Sequence, residues 1–481
     1  MQTLDVQLST GVTLTVPASL KSITTYALLE QEAWFEKEME FLRCWLQPGM
    51  TAIDIGAHLG VYSLPMARLV GPTGQVFAYE PSSQTRAYLE RSRALNDASA
   101  LQIFPFALSD SAREGRIAFG FSSELNTLGE GGDGETVRIT SLDVEEDERG
   151  WMAPDFIKID AEGEEERVIA GGRAFFARHS PLVMMEVQMD GTFNEQLRSL
   201  MPTLGYRVYR QLGGAAILVP DNPGQTLDPY ELNLFAAKPD RAADLARRGL
   251  LTEDIPTWTP GKTDIQDAEI LWQRQKFAFL SDVFKFDKTT TDPAYSAALA
   301  GYAAWQDLNR PAAVRCGALA FSFKILQALC LAEPNTARLS TFVRVALDWG
   351  ARNESVAALR QLIFSFNSGA VQITEPFWPA NRRFDEISPH QQPADWFMAA
   401  VAEQFEKSAH FSSEFFGLSP ALDWLCGTPF ASPEMERRRL LFPANNGIVT
   451  KVTDRLFRPA PDHLNADLWR TGKIPGILGV S

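Results

Sequence analysis

The stretch TAIDIGAHLG, residues 51–60, followed by QVFAYEP at 75–81, decides how this chain folds. Ala52, Ile53 and Ile55 make a short apolar run suited to a parallel strand buried on both faces. Gly56 and Gly60 let the backbone turn tightly into a helix beginning near Val61. A second run, Val76 to Tyr79, ends in Glu80, twenty residues after Gly60. Strand, glycine turn, helix and an acid at the tip of the next strand form a nucleoside-binding unit. Its acid is placed to take two ribose hydroxyls.

Two details select the nucleoside. A dinucleotide fold needs a further glycine inside the turn so that the backbone can approach a pyrophosphate. Here the turn runs Gly56-Ala57-His58-Leu59-Gly60, and that glycine is absent. Dinucleotide folds also usually carry an apolar residue where this chain has Asp54. A carboxylate there repels a pyrophosphate and welcomes a cation. S-adenosylmethionine carries a sulfonium and an ammonium and no phosphate, so the acidic mouth favours it over NAD.

The run PDFIKIDAEGEEERVIAGG, residues 154–172, is the second distinctive element. Phe156 to Ile159 is strand-like, and Gly163 opens a turn into a helix containing Val168 and Ile169. Lys158 and Asp160 then project from one side near the carboxyl end of a central strand, the end that faces the ligand crevice in a doubly wound sheet. Burying a lysine beside two or three acids is costly unless they pair or bind something. A purely structural ion-pair network is the competing reading of these residues.

Together these segments resemble the FkbM family of S-adenosylmethionine-dependent methyltransferases. The likeness covers IDIGAHLGVYSLPMARLVGPTGQVFAYEP, FALSD at 106–110, SLD at 141–143, IKIDAEGEEERVIAGG and MMEV at 184–187, in the family's order across residues 30–238. The resemblance implies O-methylation of hydroxyls on sugars or polyketide-type natural products. It implies that Asp54, Gly56 and Gly60 form the methionine-side turn, that Glu80 holds the ribose, and that Ala107 and Leu108 lie near the adenine. Lys158, Asp160, Glu162, Gly163 and Glu165 match the second signature. The family often has Asn where His58 stands and a hydrophobic or aromatic residue at Glu166. Neither site is required by this chemistry.

Other short apolar runs extend the sheet. Leu101–Leu108, Leu182–Val187, Tyr206–Tyr209 and Leu232–Ala237 join the three strands above in a seven-stranded, doubly wound Rossmann-like α/β sheet. Residues 1–50 read as an extension. Leu4, Val6 and Leu8 alternate with polar residues, as do Val12, Leu14 and Val16, which predicts a hairpin turning at Ser9-Thr10-Gly11. A helix follows over 24–46, with Leu28, Phe35 and Leu42 on one face. Residues 51–250 are expected to hold the cofactor-binding domain, residues 1–250 alone are expected to bind the cofactor on a self-contained sheet core, and LTEDIPTWTPGK at 251–262 reads as a linker.

Beyond it the period is helical, giving a C-terminal domain over 263–481. Thr263 and Gln266 have capping-box spacing. Leu319, Phe323, Leu326 and Cys330 share one helical face, Leu339, Phe342 and Ala346 a second, and Val356, Leu359, Ile363 and Phe366 a third. Tetratricopeptide-like pairs and a plain bundle both fit this pattern. Such a half suits an acceptor or a protein partner.

Charge narrows the partners. Residues 1–240 hold 19 of the 45 basic and 34 of the 60 acidic side chains, so they carry the whole net charge of -15. An acidic catalytic half repels nucleic-acid backbones and anionic membranes, which argues against RNA or DNA methylation. Cys44, Cys316, Cys330 and Cys426 have no paired spacing and read as buried small hydrophobes in a reducing compartment. MQTLDVQLS lacks a basic segment before an apolar run, and no uncharged stretch of about 18 apolar residues occurs. The expectation is a cytoplasmic protein without a membrane span.

The remaining chemistry lies among carboxylates. His58 sits inside the cofactor turn, where a bond to backbone is expected of it; His179 follows a helix; His390, His410 and His463 lack ligand spacing. Asp160, Glu162 and Glu186 could chelate a magnesium ion that acidifies an acceptor hydroxyl. Direct proton removal by Asp160 or Glu162 is equally open. A scaffold with a degenerate methyltransferase half is the alternative from another class. The intact Asp54, Glu80 and Asp160 argue against it.

Overall fold

A computed structural model describes residues 2–118, 127–129, 134–151, 153–189, 192–274, 278–284, 286, 291–369, 372–389 and 391–480. His390 lies outside the described residues. The centre is an eight-stranded sheet. Its strands are β1 (Thr51–Ile55), β2 (Gln75–Tyr79), β3 (Leu101–Phe104), β4 (Phe156–Ile159), β5 (Leu182–Glu186), β6 (Arg207–Gln211), β7 (Leu218–Pro220) and β8 (Asn233–Ala237). They lie in the order β7-β6-β8-β5-β4-β1-β2-β3. The five from β5 to β3 are parallel, and β8 runs antiparallel between β5 and β6.

Strand alternation splits the sheet's side chains between two cores. Ala52, Val76, Ala78, Phe156, Met184 and Phe235 face one layer. Ile53, Ile55, Phe77, Ile157, Val183 and Met185 face the other. Register places Lys158 opposite Asp54 on β1 and Met184 on β5, so the two motifs lie on neighbouring strands.

The sheet has one strand more than the seven expected. β7 is only three residues long, ends in Pro220 and sits at the sheet edge, where proline's missing N–H is tolerated. The expected run Leu101–Leu108 divides at Pro105. Leu101–Phe104 stays in the main sheet, while Phe106–Leu108 joins a second, four-stranded sheet with Arg113–Ala118, Thr127–Gly129 and Gly134–Thr140.

The N-terminal hairpin pairs Thr3–Gln7 with Thr13–Pro17, as its alternation predicts. The helix expected over 24–46 is broken into Ile23–Gln31 and Glu38–Trp45. Glu32 ends the first piece in a left-handed conformation, with φ of 56°. Its carboxylate accepts the backbone N–H groups of Leu464 and Asn465, at 2.6 and 3.0 Å, which ties the break to the C-terminal segment. Phe35 therefore lies in a connection between helices and not on a helical stripe.

Three expected helices of the C-terminal half are present as Ala312–Ala332, Thr336–Trp349 and Arg352–Asn367, with Gly350 in the left-handed cap between the last two. The expected division of the chain is crossed by packing. Leu440, Leu441, Trp469 and Ile477 share the core of the hairpin and the sheet. Leu212, Ile217 and Val219 from the sheet edge share the core of the helical half. Residues 51–250 hold the core on one face of the sheet by themselves, while the core on the other face is shared with the hairpin and the C-terminal segment.

Ala312–Ala332 is long and apolar enough, by length and composition, to cross a membrane, and it carries Arg315 and Lys324. Its buried residues belong to the core of the helical half. Cys316 is buried, but Cys44 is exposed, contrary to its reading as a core residue. It stands on the solvent side of the short helix Glu38–Trp45, whose apolar residues Phe41, Leu42 and Trp45 point inward.

Candidate functional site

At the carboxyl ends of β1, β2, β4 and β5 lies a cavity of about 400 Å³. Gly56 opens the turn after β1 with φ of 82°. A Cβ at this position would sit 1.7 Å from the carbonyl oxygen of Asp160, so the first motif closes directly onto the backbone of the second. Glycine is required here twice, by conformation and by contact. Gly60, with φ of 91°, lets the helix Ser63–Val70 pack against Leu89 and does not itself line the cavity.

Glu80 closes the turn from β2. One carboxylate oxygen accepts the His58 N–H at 3.0 Å and the other the Ser82 N–H at 2.8 Å. Burial outweighs these bonds and pushes the carboxyl up to about 7. Each oxygen keeps a lone pair for a further donor. Asp54 is fully buried. Its Oδ2 accepts the Ser63 hydroxyl, and its Oδ1 has no partner. Burial also pushes the Asp54 carboxyl up, against the nearby Lys158 charge.

From β4, Lys158 is 2% exposed and its Nζ lies 2.5 Å from Asp160 Oδ2. Burial works against the lysine's charge, but Asp160, Asp54 and Glu36 together outweigh it and hold the ammonium above its ordinary value. Asp160 is only partly buried, its side chain 28% exposed, and Lys158 holds its carboxyl below the usual range. Glu186, at the end of β5, is pushed well above that range by burial and by the Asp160 charge. The two carboxyl groups lie within hydrogen-bonding reach of each other. Glu162 lines the same cavity in a left-handed conformation, with φ of 51°, beside Gly163 at 94°. The Glu165 carboxylate fixes that loop by accepting the N–H groups of Ala161 and Gly163, at 2.9 and 3.0 Å.

Residues 54–208 match the family model described as the methyltransferase FkbM domain. This segment is an FkbM methyltransferase domain. Among solved structures, an FkbM methyltransferase from Methylobacillus flagellatus is 18% identical over 39% of this chain and 43% of its own, with a TM-score of 0.27. A SAM-dependent methyltransferase from Aquifex aeolicus is 14% identical over 46% of this chain and 93% of its own, with a TM-score of 0.24. A putative methyltransferase from Streptococcus mutans, solved in complex with SAH, is 10% identical over 43% of this chain and 97% of its own, with a TM-score of 0.26. The first of these is matched over less than half its length. No curated protein matches the chain significantly.

Of the residues singled out from the sequence, Asp54, Gly56, His58, Glu80, Ala107, Leu108, Lys158, Asp160 and Glu162 all line the cavity of the FkbM domain. Gly60, Gly163 and Glu165 stand behind the wall. His58 lines the cavity and donates its backbone N–H to the Glu80 carboxylate. His179 lies elsewhere, bonded to Glu146 at 2.6 Å, and His463 is buried against Arg437 and the Leu456 carbonyl.

Several wall residues escaped the sequence reading. Trp34, Phe35 and Glu36 enter from the break in the N-terminal helix, and Tyr62 from the glycine turn. Glu36 accepts from Tyr62 at 2.6 Å, from Asn233 at 2.7 Å and from the Trp34 indole at 2.7 Å. Lys158 Nζ lies 4.9 Å from the centre of the Tyr62 ring. The available signal was WFEKE at 34–38, two aromatics followed by acids in a supposed helix.

Magnesium does not fit these groups. Among the described residues no set of three His, Cys, Asp or Glu side chains is arranged to hold a metal ion. The Lys158 ammonium already occupies the cation's place beside Asp160, 2.5 Å from its Oδ2. A divalent ion would have to displace it.

Proposed function

We propose that this chain transfers a methyl group from S-adenosylmethionine to a hydroxyl of a glycan or natural-product acceptor. The observation that carries the reading is the charge of the cavity. Six carboxyl groups face one lysine, and the innermost, Asp54, has a buried oxygen without a partner. An orphaned buried carboxylate oxygen costs about 1–3 kcal/mol unless a donor reaches it. The ammonium of a bound S-adenosylmethionine is such a donor. Glu80 would hold the ribose, and Ala107 and Leu108 the adenine. When bound, that cofactor supplies an electrophilic methyl group.

The chain's own residues then orient the acceptor and take its proton. Lys158, 2.5 Å from Asp160 Oδ2, favours the ionised form of that carboxyl and fixes its rotation. A carboxylate held this acidic is a weak base, so the proton passes to it only as the acceptor oxygen loses electron density. Glu162, on the adjoining loop, is the other acceptor for this proton. Alignment of the two substrates would supply about 7–11 kcal/mol of the barrier reduction.

The test is transfer of labelled methyl to an extract of glycans and small molecules. Asp160→Asn keeps the shape and removes the base, so transfer should fall by about 10²–10⁴-fold while S-adenosylhomocysteine affinity changes less than about threefold. Near-normal transfer in both Asp160→Asn and Glu162→Gln would remove the chemistry from these carboxylates. Because the groups do not suit magnesium, a chelator should leave transfer unchanged.

A further inference from the structure

A second cavity of about 340 Å³ adjoins the first, between the sheet and the helical half. The two share Phe35, Glu36, Leu232 and Phe411 as walls. The Phe35 and Phe411 rings meet at 5.2 Å between centres and form the partition. Phe411 also packs edge-on against Tyr230, at 5.8 Å. The shared wall lies at the Glu36 and Leu232 side of the first cavity, away from the Ser82 and Leu108 side assigned to the nucleoside.

The lining of the second cavity is chemically unlike that of the first. It holds five acidic and five basic side chains, with the amides of Asn381 and Gln404 and the hydroxyl of Ser408. The charges balance one another. Arg382 lies across Asp348, and Lys37 lies 2.7 Å from Glu231. Arg344 is spent on Asp385 through two bonds, of 2.9 and 3.1 Å. With its cations already engaged by carboxylates and carbonyls, the lining gives an ion no reason to enter. Its dense donors and acceptors would be stripped of water by an apolar acceptor and left unpaired, at about 1–3 kcal/mol each. A sugar or polyol avoids both problems: its hydroxyls both donate and accept, and its C–H faces pack on aromatic rings such as Phe35 and Tyr230.

We propose that this second cavity is the acceptor subsite, that it takes an uncharged sugar or polyol, and that the helical half exists in part to wall it. The acceptor's body lies among Arg382, Gln404 and Tyr230, and one hydroxyl reaches past Phe35 and Phe411 towards Asp160. This rests on the methyl-transfer reading above and chooses between its two acceptor classes. It also gives residues 336–411 a role that the FkbM domain, ending at residue 208, does not contain.

The experiment is saturation-transfer NMR on the full chain with S-adenosylhomocysteine present. The probes are xylitol, methyl hexopyranosides and maltotriose on one side, and 2-naphthol and a long-chain alcohol on the other. Gln404→Trp places an indole in the second cavity without touching the first, and Arg382→Gln serves if that variant does not fold. At least one sugar or polyol should bind, and the variant should weaken it at least tenfold while S-adenosylhomocysteine affinity stays within twofold. Binding of the apolar alcohols alone, of no probe, or of sugars unaffected by either variant would overturn the proposal. Failure of the wild-type chain to bind S-adenosylhomocysteine would instead overturn the methyl-donor reading. Sugar binding lost in the variants would then still place a sugar site in this cavity.

Discussion

Glu80→Gln is the substitution whose consequences can be followed furthest. Both oxygens of Glu80 accept backbone N–H groups, from His58 at 3.0 Å and Ser82 at 2.8 Å. Glutamine has one oxygen, so its amide nitrogen must face one of these donors. That buried donor is left unpaired, and folding stability should fall by about 1–3 kcal/mol. The ligand loses more. A carboxylate can accept both ribose hydroxyls in charge-assisted bonds, a neutral amide only one. Loss of one such bond costs about 1.5–3 kcal/mol, which weakens binding by roughly 10–150-fold.

The titration of Glu80 adds a signature. Burial raises the carboxyl from 4.5 to about 7 in the folded chain. A raised folded value means that its contribution to stability is fully present below 4.5 and is lost as pH rises through 7. That loss is about 3 kcal/mol for a fully buried group. Ligand affinity runs the opposite way, because only the ionised carboxylate accepts both hydroxyls. Calorimetry with S-adenosylhomocysteine between about pH 5.5 and 8.5 should show affinity rising through about 7 in the wild type and flat in Glu80→Gln. Affinity within twofold of wild type in the variant, or a flat wild-type profile, would refute the reasoning.

Two further outcomes concern the fold that holds the site. Gly56→Ala forces a Cβ onto the Asp160 carbonyl at 1.7 Å in a left-handed turn, so urea unfolding should show a loss of more than about 3 kcal/mol or no folded protein. A loss below about 1 kcal/mol would show that the two motifs are not interlocked. Truncation to residues 1–250 removes Leu440, Leu441, Trp469 and Ile477 from the core that the hairpin shares with the sheet. At about 1.5–3 kcal/mol per buried side chain this rivals the whole stability of a domain, so the fragment should aggregate or bind ANS in the absence of denaturant. A monomeric fragment with a cooperative melt would contradict the shared core.

The parts of the site legible in the sequence are those fixed by local chemistry. Asp54, Gly56 and Glu80 are carried by one strand–turn–helix–strand unit, and a left-handed glycine and a strand-end acid leave a local signature. Lys158 and Asp160 were legible because strand alternation puts both on one side, and the parallel register then sets Lys158 beside Asp54. What was missed depends on distant contacts. Glu36 reaches the site because Glu32 breaks a helix by binding Leu464 and Asn465, more than four hundred residues away. Nothing in residues 24–46 records that partner. β7 was missed because three residues at a sheet edge show no period. The magnesium site failed for a different reason. Its oxygens are present, but the Lys158 ammonium already satisfies Asp160, and that pairing is not written in residue identity.

An acidic cavity should receive a cationic nucleoside and reject one that carries a pyrophosphate. Calorimetry of the full chain with S-adenosylmethionine and, under the same conditions, with NAD tests this most directly. One equivalent of S-adenosylmethionine should bind, with NAD weaker by at least about 100-fold, or roughly 2.7 kcal/mol. No heat with S-adenosylmethionine, or equal affinity for NAD, would contradict it.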